Sequence, residues 1–148
     1  MPRSTVHAAA SSIARTLRKS VGRAGGLYEP ERLHTVRVAA KKLRYALEVE
    51  RELTRSRATA RITRLKRLQD ALGEMHDYEV LLGHVRDVQA DVAGRDLRLS
   101  AELDKLVRTL EEQCRSGHAT FLRQRQALVD LCEASMASAT ASLAGRAP

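Results

Sequence analysis

Residues 30–53 read PERLHTVRVAAKKLRYALEVEREL, in which apolar residues recur every three or four positions. Wound as a helix at about 100° per residue, this stretch carries one apolar stripe: Leu33, Val36, Ala40, Leu43 and Leu47. A separate arc of the same helix holds His34, Arg37, Lys41, Arg44, Tyr45 and Glu48. Cations on one arc repel each other unless negative charge lies across from them. We therefore predict a helix that packs its apolar stripe into a core and presents the other arc to an anion.

The composition favours a helical bundle over a sheet protein. The chain has 148 residues, of which 3% are aromatic, with no Trp and three Pro. Ala, Leu, Arg and Glu, all good helix formers, make up much of it. The length is enough for one domain with its own core. We predict a single all-α domain over residues 1–148.

The apolar spacing predicts four long helices, or five if Ser116 and Gly117 divide the last one. The expected bounds are an N-cap at Ser4 to Gly22, Pro30 to about Arg55, Ala58 to Val92, and a last region over residues 99–134. Short connections favour antiparallel neighbours, so we expect an up-down bundle. From about residue 135 the chain is rich in Ala, Ser and Thr, and we expect this tail to fray.

Charge is unevenly distributed along the chain. The net charge is +8, but residues 1–67 hold 17 Lys and Arg against 5 acids, whereas residues 68–148 hold 9 against 13. A basic region of this kind favours a polyanionic partner such as nucleic acid, a phosphorylated ligand or an acidic membrane surface. The series Arg57, Arg61, Arg64 and Arg67 is more typical of a solvated helix face, although Arg64 and Arg67 could extend the basic surface.

The third predicted helix also has two faces. Its apolar seam includes Leu65, Leu68, Leu72 and Met75, and a separate arc carries Lys66, Gln69, Asp70, Gly73, His76 and Asp77. A Gly in mid-helix costs about 1 kcal/mol relative to Ala. Gly73 therefore indicates either a close helix contact or the close approach of a ligand.

Two motifs together resemble the CHAD domain, the conserved histidine α-helical domain. They are His34-x-x-Arg37-x-x-x-Lys41-Lys42-x-Arg44-Tyr45-x-x-Glu48 and Leu65-Lys66-x-Leu68-Gln69-Asp70-x-Leu72-Gly73-x-x-His76-Asp77. The resemblance implies an all-helical domain that binds inorganic polyphosphate in a basic groove, without catalysis, metal or cofactor. It maps the binding residues onto His34, Arg37, Lys41, Lys42 and Arg44, with Lys66 as a further candidate. Supporting roles fall to Tyr45, Gln69, Asp70, Gly73, His76 and Asp77.

The chain departs from the resemblance in its extent. Members of the family usually carry two four-helix halves, each with its own basic helix, and this chain resembles the second half alone. The resemblance therefore implies either a homodimer that completes the groove or a fragment with a reduced site.

Physical reasoning supports the same class of ligand. Polyphosphate carries about one negative charge per phosphate, and cations on successive helical turns lie about 5.4 Å apart, so one helix can meet several phosphates of one chain. Arginines can grip two phosphate oxygens at once, and lysines act as point charges. Asp70 and Asp77 do not suit a phosphate site, so we expect them to orient the basic side chains or a His ring.

Three other functions fit parts of the pattern. The order His34, His76-Asp77, then Asp87 or Asp91 is similar to that of helical metal-dependent phosphohydrolases of the HD type, but the nearby cations would oppose a divalent metal. A di-iron bundle site would need a second Glu-x-x-His besides Glu31-x-x-His34, and none is present. Non-specific nucleic-acid binding is the runner-up, since phosphate contacts are common to all polyanions, although the few aromatics offer little base stacking.

The cellular location is inferred from what the sequence lacks. There is no secretory signal and no apolar run near 18 residues, so we expect no membrane span and a reduced cytoplasmic protein, at polyphosphate granules if the ligand is right. Residues 1–28 contain no acid and are rich in Arg, Ser and Ala, which also fits a mitochondrial transit peptide. The same residues make a good first helix, which favours the cytoplasm.

Overall fold

The computed structural model describes residues 3–144, without the side chains of Ala139 and of residues 142–144. Within these residues there are four helices and no strand: α1 (Arg3–Arg23), α2 (Pro30–Thr54), α3 (Thr59–Val92) and α4 (Leu97–Ala144). The all-α prediction is confirmed. The last helix, α4, is not divided at Ser116 and Gly117, so the five-helix alternative is wrong.

The four helices form a ring in which each one packs against two others. The neighbouring pairs are α1 with α2, α2 with α3, α3 with α4, and α4 with α1. Residues near the start of one helix meet residues near the end of its neighbour: His7 Nδ1 lies 2.8 Å from Glu50 Oε1, and Arg61 donates to the Ser135 hydroxyl at 3.0 Å. Helices joined by short loops produce this order of contacts.

The core lies at the centre of this ring. The predicted stripe of α2 is at most 2% exposed throughout, and the predicted seam of α3 is buried as well. Phe121 is the largest fully buried side chain, and it shares the core with buried leucines from three other helices: Leu17, Leu43, Leu47 and Leu65. The apolar period of the sequence therefore located the core correctly.

The ends of the helices follow local sequence signals. Pro30 begins α2, where its missing N–H and fixed φ are compatible with a first turn. Arg55 ends α2 in the left-handed conformation (φ 54°), and its N–H donates to the Arg51 carbonyl at 2.9 Å. Gly94 follows α3 with φ 74°, which Gly adopts easily. Ser4 is not an N-cap, because α1 already includes Arg3.

α4 continues through Ser116 and Gly117, where the sequence suggested a break. A Cβ built on Gly117 would lie 3.1 Å from Met75 Sδ and 3.2 Å from its Cγ. Gly117 is therefore small because α3 packs closely against it, and tertiary packing keeps the helix intact. The helix also passes residue 135, where we expected fraying, and reaches Ala144; Ser135 is buried and donates to the Leu131 carbonyl at 2.9 Å.

α3 and α4 are longer than the other two helices and extend beyond them. We call this extension, from about Tyr78 on α3 to Leu110 on α4, the two-helix arm. The arm has its own small apolar cluster of Leu82, Val85 and Leu110. None of the helices within residues 3–144 combines the length and the apolar character needed to cross a membrane.

Candidate functional site

A cleft of about 600 Å³ lies between α2 and α3, and we call it the α2–α3 groove. It forms where the two helices pack through their apolar stripes and leave their polar arcs facing each other across solvent. Side chains from both helices line it: Arg37, Val38, Lys41, Arg44, Tyr45, Gln69, Asp70, Gly73, Glu74 and Asp77. The groove thus brings together eight of the twelve residues that the sequence singled out.

The α2 side of the groove is basic, and its three cations are held differently. Arg44 is fixed, because its Nε donates to Gln69 Oε1 at 2.5 Å, its Nη1 donates to Glu48 Oε1 at 2.6 Å, and its guanidinium lies 4.4 Å from the Tyr45 ring centroid. Arg37 and Lys41 form no ion pair and no hydrogen bond with any residue that the structure describes. One cation is therefore positioned in advance, and two are available for a ligand.

The α3 side of the groove is acidic. Asp70, Glu74 and Asp77 lie on successive turns of α3 and line the groove opposite the cations. Within residues 3–144, neither Asp70 nor Asp77 has a hydrogen bond or ion pair, and Glu74 accepts a hydrogen bond from the Tyr78 hydroxyl at 3.0 Å. The orienting role expected for the two aspartates has no contact to support it and stays a prediction. The groove lining thus has a basic wall and an acidic wall, with three charges on each.

Gly73 lies on the floor of the groove beside Arg37. A Cβ at this position would lie 3.7 Å from Arg37 Nε and 3.9 Å from Nη2, which is ordinary van der Waals contact. The nearest neighbour of Gly73 across the helix interface is therefore a cationic side chain, and not the backbone of another helix.

Two histidines meet between the same two helices, next to the groove. The rings of His34 and His76 are 5.6 Å apart between centroids, and His76 Nδ1 lies 3.8 Å from Glu79 Oε2. The other oxygen of Glu79 accepts a hydrogen bond from the Tyr28 hydroxyl. This contact ties the loop between α1 and α2 to α3, and burial, with this hydrogen bond, raises the pKa of Tyr28 far above its usual value.

The remaining predicted residues lie outside the groove lining. Both Lys42 and Lys66 are exposed, and the structure gives neither a carboxylate partner within its described residues. Lys66 shares the polar arc of α3 but lies one turn before the lining residues Gln69 and Asp70. Two lining residues were missed by the sequence reasoning. Glu74 lies four residues after Asp70, a spacing that could have identified it, whereas Val38 is apolar and carried no such signal.

The described residues do not assemble a metal site. Within residues 3–144 no group of three or more His, Cys, Asp or Glu side chains is arranged to hold a metal ion. Asp87 and Asp91, which the HD alternative requires, are exposed residues of the two-helix arm. The histidines at the groove therefore do not converge with these carboxylates.

Three buried titratable groups belong to the core and not to the groove. Burial lowers the pKa of His118, whose ring is edge-on to Tyr28 at 5.3 Å. Burial raises the pKa of Cys114 and raises the pKa of Cys132 to about 12. Both thiols are free, and the raised pKa values keep them protonated and unreactive.

Comparison with known proteins identifies the family. A model of the CHAD domain matches residues 2–86, which is more than half of the chain. The matched stretch includes α1, α2 and most of α3, and so contains both walls of the groove. No match was found among curated proteins or among solved structures. On the strength of the family match, this chain belongs to the CHAD domain family.

Proposed function

We propose that the chain binds inorganic polyphosphate, or a similar linear polyanion, along the α2 wall of the α2–α3 groove and does so without catalysis. The observation that carries the proposal is the state of the cations. Arg37 and Lys41 lie on successive turns with no hydrogen bond or ion pair among the described residues, and Lys41 Nζ lies only over the Tyr45 ring, 5.8 Å from its centroid. Arg44 is already held by Gln69 and Glu48. Cations one helical turn apart can each pair with a different phosphate of the same extended chain.

The acidic wall limits where the ligand can lie. Three carboxylates face three cations across the groove, so the lining alone supplies little net attraction. A polyanion would therefore lie towards α2 and the exposed Lys42, and away from Asp77. Lys66, one turn before Asp70 on α3, could contact it only at that end of the groove. The excess of cations in residues 1–67 supplies the long-range attraction.

Titration with long-chain polyphosphate at several salt concentrations tests the proposal. We expect the logarithm of the binding constant to fall linearly with the logarithm of the salt concentration, because neutralised phosphates release their counterions. Absence of binding at low salt would end the proposal. Equal or tighter binding to duplex DNA would favour the nucleic-acid alternative instead.

The absence of catalysis has its own test. Incubation of the protein with polyphosphate and Mg²⁺ or Mn²⁺ is expected to release no orthophosphate above a protein-free control. Release that depends on His76 and Asp77 would favour the HD-type phosphohydrolase.

We also propose that two copies of the chain complete the groove, because family members usually carry two four-helix halves. The α2–α3 groove is open to solvent, and a second copy could add cations there. Sedimentation with and without polyphosphate tests this: a dimer with ligand is expected, and a monomer that saturates tightly would contradict it. A cytoplasmic location at polyphosphate granules follows from the same ligand and is tested by imaging the tagged protein.

A further inference from the structure

A second cavity, of about 200 Å³, lies between α3 and α4, and we call it the α3–α4 pocket. Its floor is apolar and consists of Leu68, Leu128 and Leu131, each only 5–6% exposed. On the α4 side the exposed and short Ala127 leaves the space open. The pocket therefore reaches the edge of the main core through a gap between two helices.

Two arginines stand at the entrance of this pocket. Arg64 and Arg67 lie one turn apart on α3, both are exposed, and neither forms a hydrogen bond or an ion pair with a residue of the described chain. Their neighbour Arg61 differs, because its Nη1 donates to the Ser135 hydroxyl at 3.0 Å. A guanidinium pairs best with a planar or tetrahedral oxyanion that accepts two hydrogen bonds.

The α3–α4 pocket is separate from the α2–α3 groove. The two cavities share no lining residue: one lies between α2 and α3, and the other between α3 and α4. The groove is lined mainly by charged groups, whereas the pocket is lined by three leucines, Ala127 and the polar Gln124, with charge only on its two arginines. A ligand that suits one cavity therefore does not suit the other.

We propose that the α3–α4 pocket binds a small amphipathic organic anion, whose apolar body lies on the three leucines and whose carboxylate or sulfonate pairs with Arg64 and Arg67. The volume sets the size of the body. A cavity of about 150 Å³ is known to take up benzene, so 200 Å³ holds one ring or an alkyl chain of roughly six to eight carbons. The acyl chain of a membrane lipid is too long for this volume, so the expected ligand is a small molecule free in solution.

Octanoate is a suitable probe, with acetate and octanamide as matched controls for the head and the body. We expect octanoate to shift the backbone amide signals of Leu68, Ala127 and Leu128. Acetate lacks the apolar body and octanamide lacks the charge, so each is expected to bind at least about tenfold more weakly. Equal binding of octanoate and octanamide would overturn the role of the arginines.

Variants locate the site. Ala127→Leu fills the pocket at an exposed helical position and is expected to abolish octanoate binding, while Arg67→Gln is expected to weaken it about tenfold. Arg98→Gln, which removes one exposed charge on the arm, should leave the affinity unchanged. Unchanged affinity in Arg67→Gln, or octanoate-induced signal shifts centred on Arg37 and Lys41, would overturn the proposal. If Ala127→Leu does not fold, the affinity of Arg67→Gln for octanoate tests the proposal by itself.

Competition separates this site from the polyphosphate proposal. Saturating polyphosphate is expected to leave the affinity for octanoate unchanged, because the two cavities have no residue in common. Displacement of octanoate by polyphosphate would show that the pocket is not an independent site, whatever the groove binds.

Discussion

The two walls of the α2–α3 groove come from the same kind of sequence pattern but differ in chemistry. Both α2 and α3 bury one apolar stripe and leave a polar arc beside it. The arc of α2 supplies Arg37, Lys41 and Arg44, whereas the arc of α3 supplies Asp70, Glu74 and Asp77. The helical period thus locates a groove, but the charges on each wall decide which ligand it can hold.

The difference between the walls also concerns how well each is held. On the basic wall, Arg44 is fixed by three contacts, while Arg37 and Lys41 are free to reach a ligand within the described structure. On the acidic wall, Asp70 and Asp77 are exposed and have no hydrogen bond or ion pair within residues 3–144. We therefore expect the basic wall to bind the polyanion and the acidic wall to repel it. The following substitutions test these two roles.

The largest effect is expected from the basic wall. The double variant Arg37→Ala, Lys41→Ala should weaken polyphosphate binding about 100-fold at low salt, at about 1.4 kcal/mol per tenfold change. The salt dependence of the binding constant should also become less steep, by an amount that corresponds to about two lost phosphate contacts. Helicity and melting temperature should not change, because neither side chain supports the fold. Isothermal titration and circular dichroism measure both.

A charge-matched control makes this result specific. Arg98→Ala, Arg108→Ala removes two exposed cations from α4, far from the groove. An equal loss of affinity in this control would mean that only net charge matters. Unfolding of the groove variant would show that its residues are structural.

Two substitutions of glycine by alanine at the contacts of α3 should change the free energy of unfolding in opposite directions. Gly73→Ala should raise the free energy of unfolding by about 1 kcal/mol, because Ala favours helix and the new Cβ meets Arg37 at ordinary contact distance. Gly117→Ala should lower it by about 1 kcal/mol, since overpacking against Met75 costs about 1–3 kcal/mol and the Cβ would lie 3.1 Å from Sδ. Urea denaturation measures both, and stabilisation by Gly117→Ala would contradict the close packing of α3 and α4.

Removing charge from the acidic wall should strengthen binding. Asp70→Asn, Asp77→Asn takes away two exposed carboxylates opposite the cations, and at about 0.5 kcal/mol each the affinity for polyphosphate should rise about fivefold. Asp87→Asn, Asp91→Asn on the arm is the control. Weaker binding in the groove variant would mean that the aspartates orient the cations after all, as the sequence first suggested.

The smallest expected effect is a pH dependence of stability that comes from His118, a buried residue outside the groove. Burial lowers the pKa of His118, so the unfolded chain takes up a proton on this residue more readily than the folded chain. Stability should therefore be complete above about pH 6.5, the usual value for histidine, and should decline as the pH falls below it. In melting curves, His118→Leu should flatten this decline, while the exposed His84→Gln should not.

Local patterns predicted much of this molecule. The apolar period located the core stripes of α2 and α3, and the polar arcs contained eight of the ten groove residues. Helix ends at Pro30 and Gly94 followed from the properties of those residues alone. Such features depend on neighbours within a turn or two, which the sequence shows directly.

The features that were missed depend on distant residues. Whether Gly117 breaks α4 or packs against α3 is decided by Met75, which lies on another helix. The separation of Asp70 and Asp77 from the cations depends on how far apart α2 and α3 pack, and no spacing within one helix contains that distance.

The most direct test of the central claim is to map polyphosphate onto the chain by nuclear magnetic resonance, which suits a protein of 16.4 kDa. If the α2 wall binds the polyanion, the amide and side-chain signals of Arg37, Lys41 and Arg44 should shift most, those of Gly73 should follow, and those around Ala127 should not move. Shifts centred on α4, or spread evenly over the surface, would contradict the assignment of the α2–α3 groove as the binding site.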